Sequence, residues 1–290
     1  MLGGAALLAL SSAMPLAAAK PDPRQFTIAG PDGRAIAITE WRPCGRPAGL
    51  ILFSHGAGSS PASYDLLLGP MVAAGWHILA PLHVDSHLHP ATARYAGLAS
   101  WKARLEDFRA LGDHIGHKPY VAVGHSYGAL TALVLGGAQS VAPPGWEGAQ
   151  SDGNAVAAVA FSPPPAIPGL ITAEGYGALR VPALIETGTL DSLPSKTGPV
   201  PDSWHAHLTA YDAVMPGHLT YGLVLEGVNH YFGGLICDFS QPGPPQTQGI
   251  RDASRVADLF LAAYGKADKA ALSNLSACVS DQLPVRLMVK

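Results

Sequence analysis

Three side chains far apart in this 290-residue chain are of the types that perform nucleophilic catalysis together: Ser126, Asp191 and His230. Ser126 is the middle of Gly124-His125-Ser126-Tyr127-Gly128, a G-x-S-x-G pentapeptide. A serine hydroxyl is a poor nucleophile until a base removes its proton, and an imidazole does this well near neutral pH. A carboxylate beyond the imidazole fixes its tautomer and stabilises the imidazolium. The order serine, acid, histidine is the one required when the nucleophile sits on a strand-to-helix turn.

Each position has rivals. His230 is one of twelve histidines, but it alone follows the last expected strand in a Gly227-Val228-Asn229-His230 loop. His125 adjoins the serine, which points its side chain elsewhere, into packing. Asp191 competes with Asp202, Asp212 and Glu186. Glu186 falls inside a strand rather than beyond it, and the other two fall in a loop excursion. A tetrahedral intermediate also needs two oxyanion donors. The backbone N–H of Tyr127 is one, and that of Ala57 in Ser54-His55-Gly56-Ala57-Gly58 is the other, with His55 bracing the loop.

The surrounding pattern supplies elements to carry these groups. Tyr120-Val121-Ala122-Val123 reads as a buried strand and Ala129 to Leu135 as an apolar helix, so the pentapeptide is the turn between them. Its glycines let strand and helix pass closely. Gln25 to Ala29 and Ala35 to Trp41 alternate around Pro31-Asp32-Gly33 and predict a hairpin. Further strands are expected at Gly49–Phe53, Trp76–Ala80, Ala155–Phe161, Val181–Thr187 and, last, Leu219–Leu225. Helices are expected at Tyr64–Ala74, Trp101–Ile115 and Asp252–Tyr264, with Arg104, Glu106, Asp107 and Arg109 forming the charged surface of the second. The alternation predicts an α/β fold: a mainly parallel central sheet, helices on both faces and an antiparallel N-terminal hairpin. In such a sheet ligands bind at the strands' carboxyl ends, where all the reactive residues fall.

Composition narrows the function. Apolar residues make up 48% and charged residues only 13%, with a net charge of −3, so no basic surface points to nucleic acid. Residues 1–19 read as a signal peptide, with an apolar centre and Ala17-Ala18-Ala19 before Lys20. That predicts an exported chain, periplasmic or secreted, and a single domain over 20–290. No later segment has the length of a transmembrane helix, and no cysteine adjoins the leader to carry a lipid, so no stable membrane anchor is expected. The sequence holds three cysteines. Of these, Cys237 and Cys278 could bridge and pin the C-terminal segment, the alternative being three buried thiols.

On Leu52-Phe53-Ser54-His55-Gly56-Ala57-Gly58 and Gly124-His125-Ser126-Tyr127-Gly128 the chain resembles the α/β-hydrolase superfamily, and within it the dienelactone hydrolase-like branch with the platelet-activating-factor acetylhydrolases. Ala80-Pro81-Leu82-His83-Val84-Asp85 and Arg104/Asp107 fit that branch too. The resemblance implies a cofactor-free serine esterase. Ser126 stands where dienelactone hydrolases proper carry cysteine, which argues against dienelactone as substrate. The apolar loop excursions 162–179 and 192–218 would cap the site and favour an uncharged or lipophilic small-molecule ester; Trp204, His205, His207 and Tyr211 either line that cap or anchor a solvated loop. Amide, thioester or carbon–carbon hydrolysis is the alternative chemistry, and a non-catalytic binding protein the alternative class. A competing motif, His83-x-Asp85-x-His87-x-His89, would gather four zinc-type ligands on one face of an extended segment.

Overall fold

The computed structural model describes residues 22–31, 33–95, 97–193 and 200–290, so the leader expected over 1–19 and the 194–199 part of the second excursion lie outside it. In chain order the elements are β1 (Arg24–Ala29), β2 (Ala35–Trp41), β3 (Gly49–Ser54), α1 (Asp65–Ala73), β4 (Trp76–Pro81), α2 (Trp101–His114), β5 (Tyr120–His125) and α3 (Tyr127–Leu135). They continue as β6 (Ala155–Phe161), α4 (Ala173–Gly177), β7 (Ala183–Gly188), α5 (Thr209–Ala213), β8 (Thr220–Leu225), α6 (Thr247–Phe260), α7 (Lys269–Ala277) and β9 (Val285–Val289).

One nine-stranded sheet takes the order β1-β2-β4-β3-β5-β6-β7-β8-β9. The six strands from β4 to β8 in that order run parallel, and every residue of β5, β7 and β8 is buried, as expected for strands covered on both faces. Val121 and Val123 of β5 join the core under α1, α6 and α7, while Tyr120 and Ala122 join the core under α2 and α3. This period-two split is what sandwiches the sheet between helical layers.

The chain leaves β3 toward β4 on one side and then crosses to β5 on the other. The sheet order therefore reverses between β3 and β5, which places a crevice at their carboxyl ends. Ser54 pairs with Gly124 across that boundary, so the loop after β3 and the turn after β5 start side by side.

Three expectations are corrected. Leu219–Leu225 is not the last strand: β9 pairs antiparallel with β8 at the far edge. Only Leu287 of β9 is fully buried, so its pattern in the sequence is faint. Arg104 and Asp107 are not surface charges of α2; both are 0% exposed. They lie one turn apart on the face turned inward, where ion pairs neutralise them. No bridge joins Cys237 to Cys278, since all three thiols are free. The Cys237 sulfur packs against Gly56, 3.1 Å from where a Cβ there would sit, and Cys278 ends α7.

Candidate active site

Ser126 occupies the tip of the turn from β5 into α3 with φ 56° and ψ −122°, a conformation that L-residues rarely adopt and that costs on the order of 1–3 kcal/mol. Two glycines permit it. A Cβ on Gly128 would lie 1.9 Å from the Ser54 carbonyl oxygen, and one on Gly124 2.1 Å from the Gly128 carbonyl oxygen. The Ser126 N–H donates to the Phe161 carbonyl at 2.8 Å, locking the turn to the end of β6. Ser126, Ala57 and Tyr127 line one cavity of about 500 Å³, whose far wall includes Leu98, Ile167 and Leu170.

Asp191 follows β7 and His230 follows β8, and the structure brings them together: His230 Nδ1 donates to Asp191 Oδ1 at 2.8 Å. Thr187 Oγ1 donates to the other carboxylate oxygen at 3.0 Å. Burial opposes ionisation of Asp191, but the neighbouring His230 and its hydrogen bond hold the carboxyl well below the usual carboxylate range. The carboxylate therefore fixes His230 with its proton on Nδ1, leaving Nε2 as the nitrogen that can accept one. Asp191 is 0% exposed, whereas the His230 side chain keeps 20% exposure.

His125 joins this pair to the serine turn and to the loop after β3. Its Nε2 donates to the His230 carbonyl at 2.8 Å, so its Nδ1 accepts, from the Tyr64 hydroxyl at 3.0 Å. That hydroxyl in turn accepts from the Gly56 N–H at 2.9 Å. Burial pushes the His125 imidazole down to about 3, which keeps it neutral in this role. The sequence assigns His125 to packing; the structure makes it a strut between three loops. Its position beside the serine was the only available signal.

Arg104 braces the same rim. Its guanidinium donates from Nη1 to the His55 carbonyl at 2.8 Å and grips Asp85 through Nε and Nη2, at 2.9 and 2.7 Å. It also lies 4.4 Å above the Tyr127 ring. His55 holds the loop as expected: Nδ1 donates to the Gly56 carbonyl and Nε2 accepts from the His83 N–H.

The sequence profile of the alpha/beta hydrolase family matches residues 51–279. The chain belongs to the α/β-hydrolase family. Among solved structures, this hydrolase is similar to a propionate-bound thermophilic esterase of Thermogutta terrifontis (TM-score 0.61, 18% identity, covering 86% of this chain and 97% of that one). It is also similar to the esterase domain of a Rhodothermus marinus protein (0.55, 14%, 83% and 98%). A third similar structure is a puromycin-hydrolysing peptidase of Mycobacterium tuberculosis (0.57, 16%, 83% and 40%). No curated protein matches in sequence.

The other candidate acids lie apart from His230. Asp202 and Asp212 are exposed, and Glu186 is sealed within β7, where burial and the nearby Asp191 charge push its carboxyl up and keep it neutral. The four side chains of His83-x-Asp85-x-His87-x-His89 do not gather round one point. His83 bonds Ser54 and Asp107, Asp85 bonds Arg104, His87 packs on Gly58, and His89 accepts from the Ala91 N–H. Among the described residues, the group that could hold a metal is instead Asp191, His207 and His230.

The cap residues divide as well. Trp204 and Tyr211 pack into the core, and His205 stacks on Trp204 at 3.6 Å. Only His207 reaches the site, 3.2 Å from Asp191 Oδ1. Among the described residues the cavity lining includes Thr92, Leu98, Pro164 and Leu170 but no residue of the 192–218 excursion.

Proposed function

We propose that this hydrolase cleaves carboxylic esters through an acyl-enzyme formed on Ser126. The observation that carries the reading is the strained serine lining an apolar cavity, coupled through His125 to a histidine that a buried carboxylate already orients. His230 Nε2 takes the Ser126 proton as Oγ attacks the carbonyl carbon. The resulting oxyanion is met by the N–H groups of Ala57 and Tyr127, the second at the N-terminus of α3, where the helix dipole favours negative charge. The imidazolium then gives its proton to the leaving alkoxide, and the alcohol departs. Water repeats the attack with the same base, and Ser126 regains its proton as the acid leaves.

The cavity lining of Leu98, Ile167 and Leu170 suits an uncharged, lipophilic acyl or alcohol group. The residues from 20 onward act as one domain, and the apolar leader over 1–19 exports it to the periplasm or beyond. Among the described residues no helix is long and apolar enough to cross a membrane.

The test is a panel of p-nitrophenyl esters from acetate to palmitate, with the matching anilides. The reading expects turnover of esters, strongest for a chain the cavity can seat, and much slower turnover of anilides. Hydrolysis of anilides at rates equal to esters, or no ester turnover at any chain length, contradicts it.

A further inference from the structure

His207 sits in the 3-10 turn Ser203–Leu208 and is 4% exposed. Its Nδ1 lies 2.8 Å from the Pro163 carbonyl oxygen. A carbonyl only accepts, so Nδ1 carries a proton, and in the neutral ring Nε2 presents a lone pair. That lone pair is buried, has no hydrogen-bond partner among the described residues, and faces Asp191 Oδ1 at 3.2 Å. Two electron-rich atoms at that distance repel unless a positive centre lies between or beside them. His230 Nδ1 meets the same carboxylate oxygen from the other side, and one ligand atom from each of the three residues lies within 4.8 Å of the others.

We propose that Asp191, His207 and His230 form a site for a divalent transition metal of the zinc type, and that filling it switches hydrolysis off. Zinc bonds of about 2.0–2.2 Å in a tetrahedron set neighbouring ligand atoms roughly 3.3–3.5 Å apart. The His207–Asp191 separation of 3.2 Å is already close to that; His230 has to draw back from Asp191 by about half an ångström. Supports outside the ligand set are in place. The Pro163 carbonyl fixes the His207 ring, and Thr187 Oγ1 holds the second Asp191 oxygen, the kind of partners that orient metal-binding imidazoles and carboxylates. The partly exposed His230 leaves one side open for a water as fourth ligand.

Occupation blocks the proposed reaction by a change of tautomer. The metal takes the Nδ1 lone pair of His230, so the single ring proton moves to Nε2 and no net proton is released. Nε2 then cannot accept the Ser126 proton, and the Asp191 charge is committed to the ion. The inhibitory half of this proposal rests on the esterase reading; the binding half does not.

Calorimetric titration of the Ser126→Ala chain with zinc chloride tests the binding half without any turnover. The expected result is one ion per chain, no comparable heat with magnesium, and affinity falling by more than the roughly 10–100-fold that loss of an outer-shell partner costs in His207→Gln. A Cys44→Ser background removes the exposed thiol as a competing ligand. Cobalt(II), added to the same Ser126→Ala chain, is expected to give the visible absorption of a tetrahedral site, so the result does not hinge on one variant's folding. In wild type the same zinc concentrations are expected to suppress ester turnover, with recovery on adding EDTA. No stoichiometric binding, binding that His207→Gln leaves intact, or a cobalt spectrum of octahedral type overturns the proposal; in those cases His207 holds a proton against Asp191 rather than a metal. Stoichiometric zinc binding in a chain that hydrolyses no ester leaves the site standing and removes the esterase reading instead.

Discussion

Ser54, His83 and Asp107 make a hydrogen-bonded chain as short as one expects of a catalytic triad: Ser54 Oγ lies 2.9 Å from His83 Nε2, and His83 Nδ1 lies 2.7 Å from Asp107 Oδ2. Ser126, Asp191 and His230 differ from that set in three physical respects. All three members of the Ser54 set are 0% exposed, whereas Ser126 lines a cavity of about 500 Å³ and His230 is partly exposed. Ser54 ends β3 without a left-handed backbone, whereas Ser126 is held at positive φ on a helix N-terminus. Arg104 Nη1 donates to Ser54 Oγ at 3.2 Å, which occupies a lone pair and opposes any nucleophilic use of it. The two carboxylates diverge accordingly. Burial raises Asp107 to about 7 against the pull of Arg34, while Asp191 stays well below the usual range under the influence of His230. Short serine–histidine–aspartate distances thus serve equally well for bracing; access, backbone strain and the state of the carboxylate separate a brace from a site.

The sharpest way to break this comparison is to remove each serine. Ser126→Ala is expected to lower kcat/KM for p-nitrophenyl butyrate by on the order of 10⁴-fold or more. Ser54→Ala is expected to stay within about tenfold of wild type per folded molecule while losing roughly 1–3 kcal/mol of stability. Equal losses of turnover would erase the distinction.

The carboxylates give the next contrast. Asp191→Asn is expected to cost about 10⁴-fold in kcat, because the wrong histidine tautomer follows. Asp107→Asn takes a carboxylate oxygen from Arg34 and disturbs the buried hydrogen bond to His83, and is expected to cost roughly 1–3 kcal/mol in chemical denaturation. Its turnover per folded molecule is expected to change little.

Asp258, outside both sets, shows what burial does without a close partner: it raises the carboxyl to about 6 against the weaker pull of Lys266. A raised folded pKa means that stability is fully present below the unfolded value near 3.8 and is lost as pH rises through about 6. The loss amounts to at most about 3 kcal/mol. Asp258→Asn is expected to flatten the stability–pH curve between those values, read from denaturant midpoints. An unchanged curve assigns the pH dependence to other groups.

The smallest effect belongs to the strut. His125→Ala removes the bonds to Tyr64 and to the His230 carbonyl without touching Asp191, and is expected to lower kcat by roughly 10–100-fold through misplacement of the histidine loop. A wild-type rate in a folded His125→Ala chain reduces His125 to packing.

The strands from β1 to β8 and the elbow were readable because they are written in local patterns: continuous apolar runs for β3, β5 and β6, and glycines where backbones cross. That Asp191 and His230 meet was readable from chain order and from the ends of β7 and β8. What escaped was non-local. Arg104 and Asp107 carry charges that mark a surface in any helical pattern; only Arg34, His83 and Asp85, brought from elsewhere in the chain, make their burial tolerable. His207 looked no different from His205 two residues away, yet one is stacked at the surface and the other touches Asp191, because the 3-10 turn presents them on different sides. The alternation through His83, Asp85, His87 and His89 suggested a shared face, but the loop turns at each step, with Ser86 and His89 N–H groups bonded back three residues. β9 was missed because an edge strand with one fully buried residue leaves almost no periodic trace.

Fluorophosphonate labelling of the whole chain, followed by peptide mass spectrometry, tests the central claim most directly. A single adduct on Ser126, absent in Ser126→Ala and slowed in Asp191→Asn, is the expected result. An adduct on Ser54 or elsewhere with Ser126 unmodified contradicts the account.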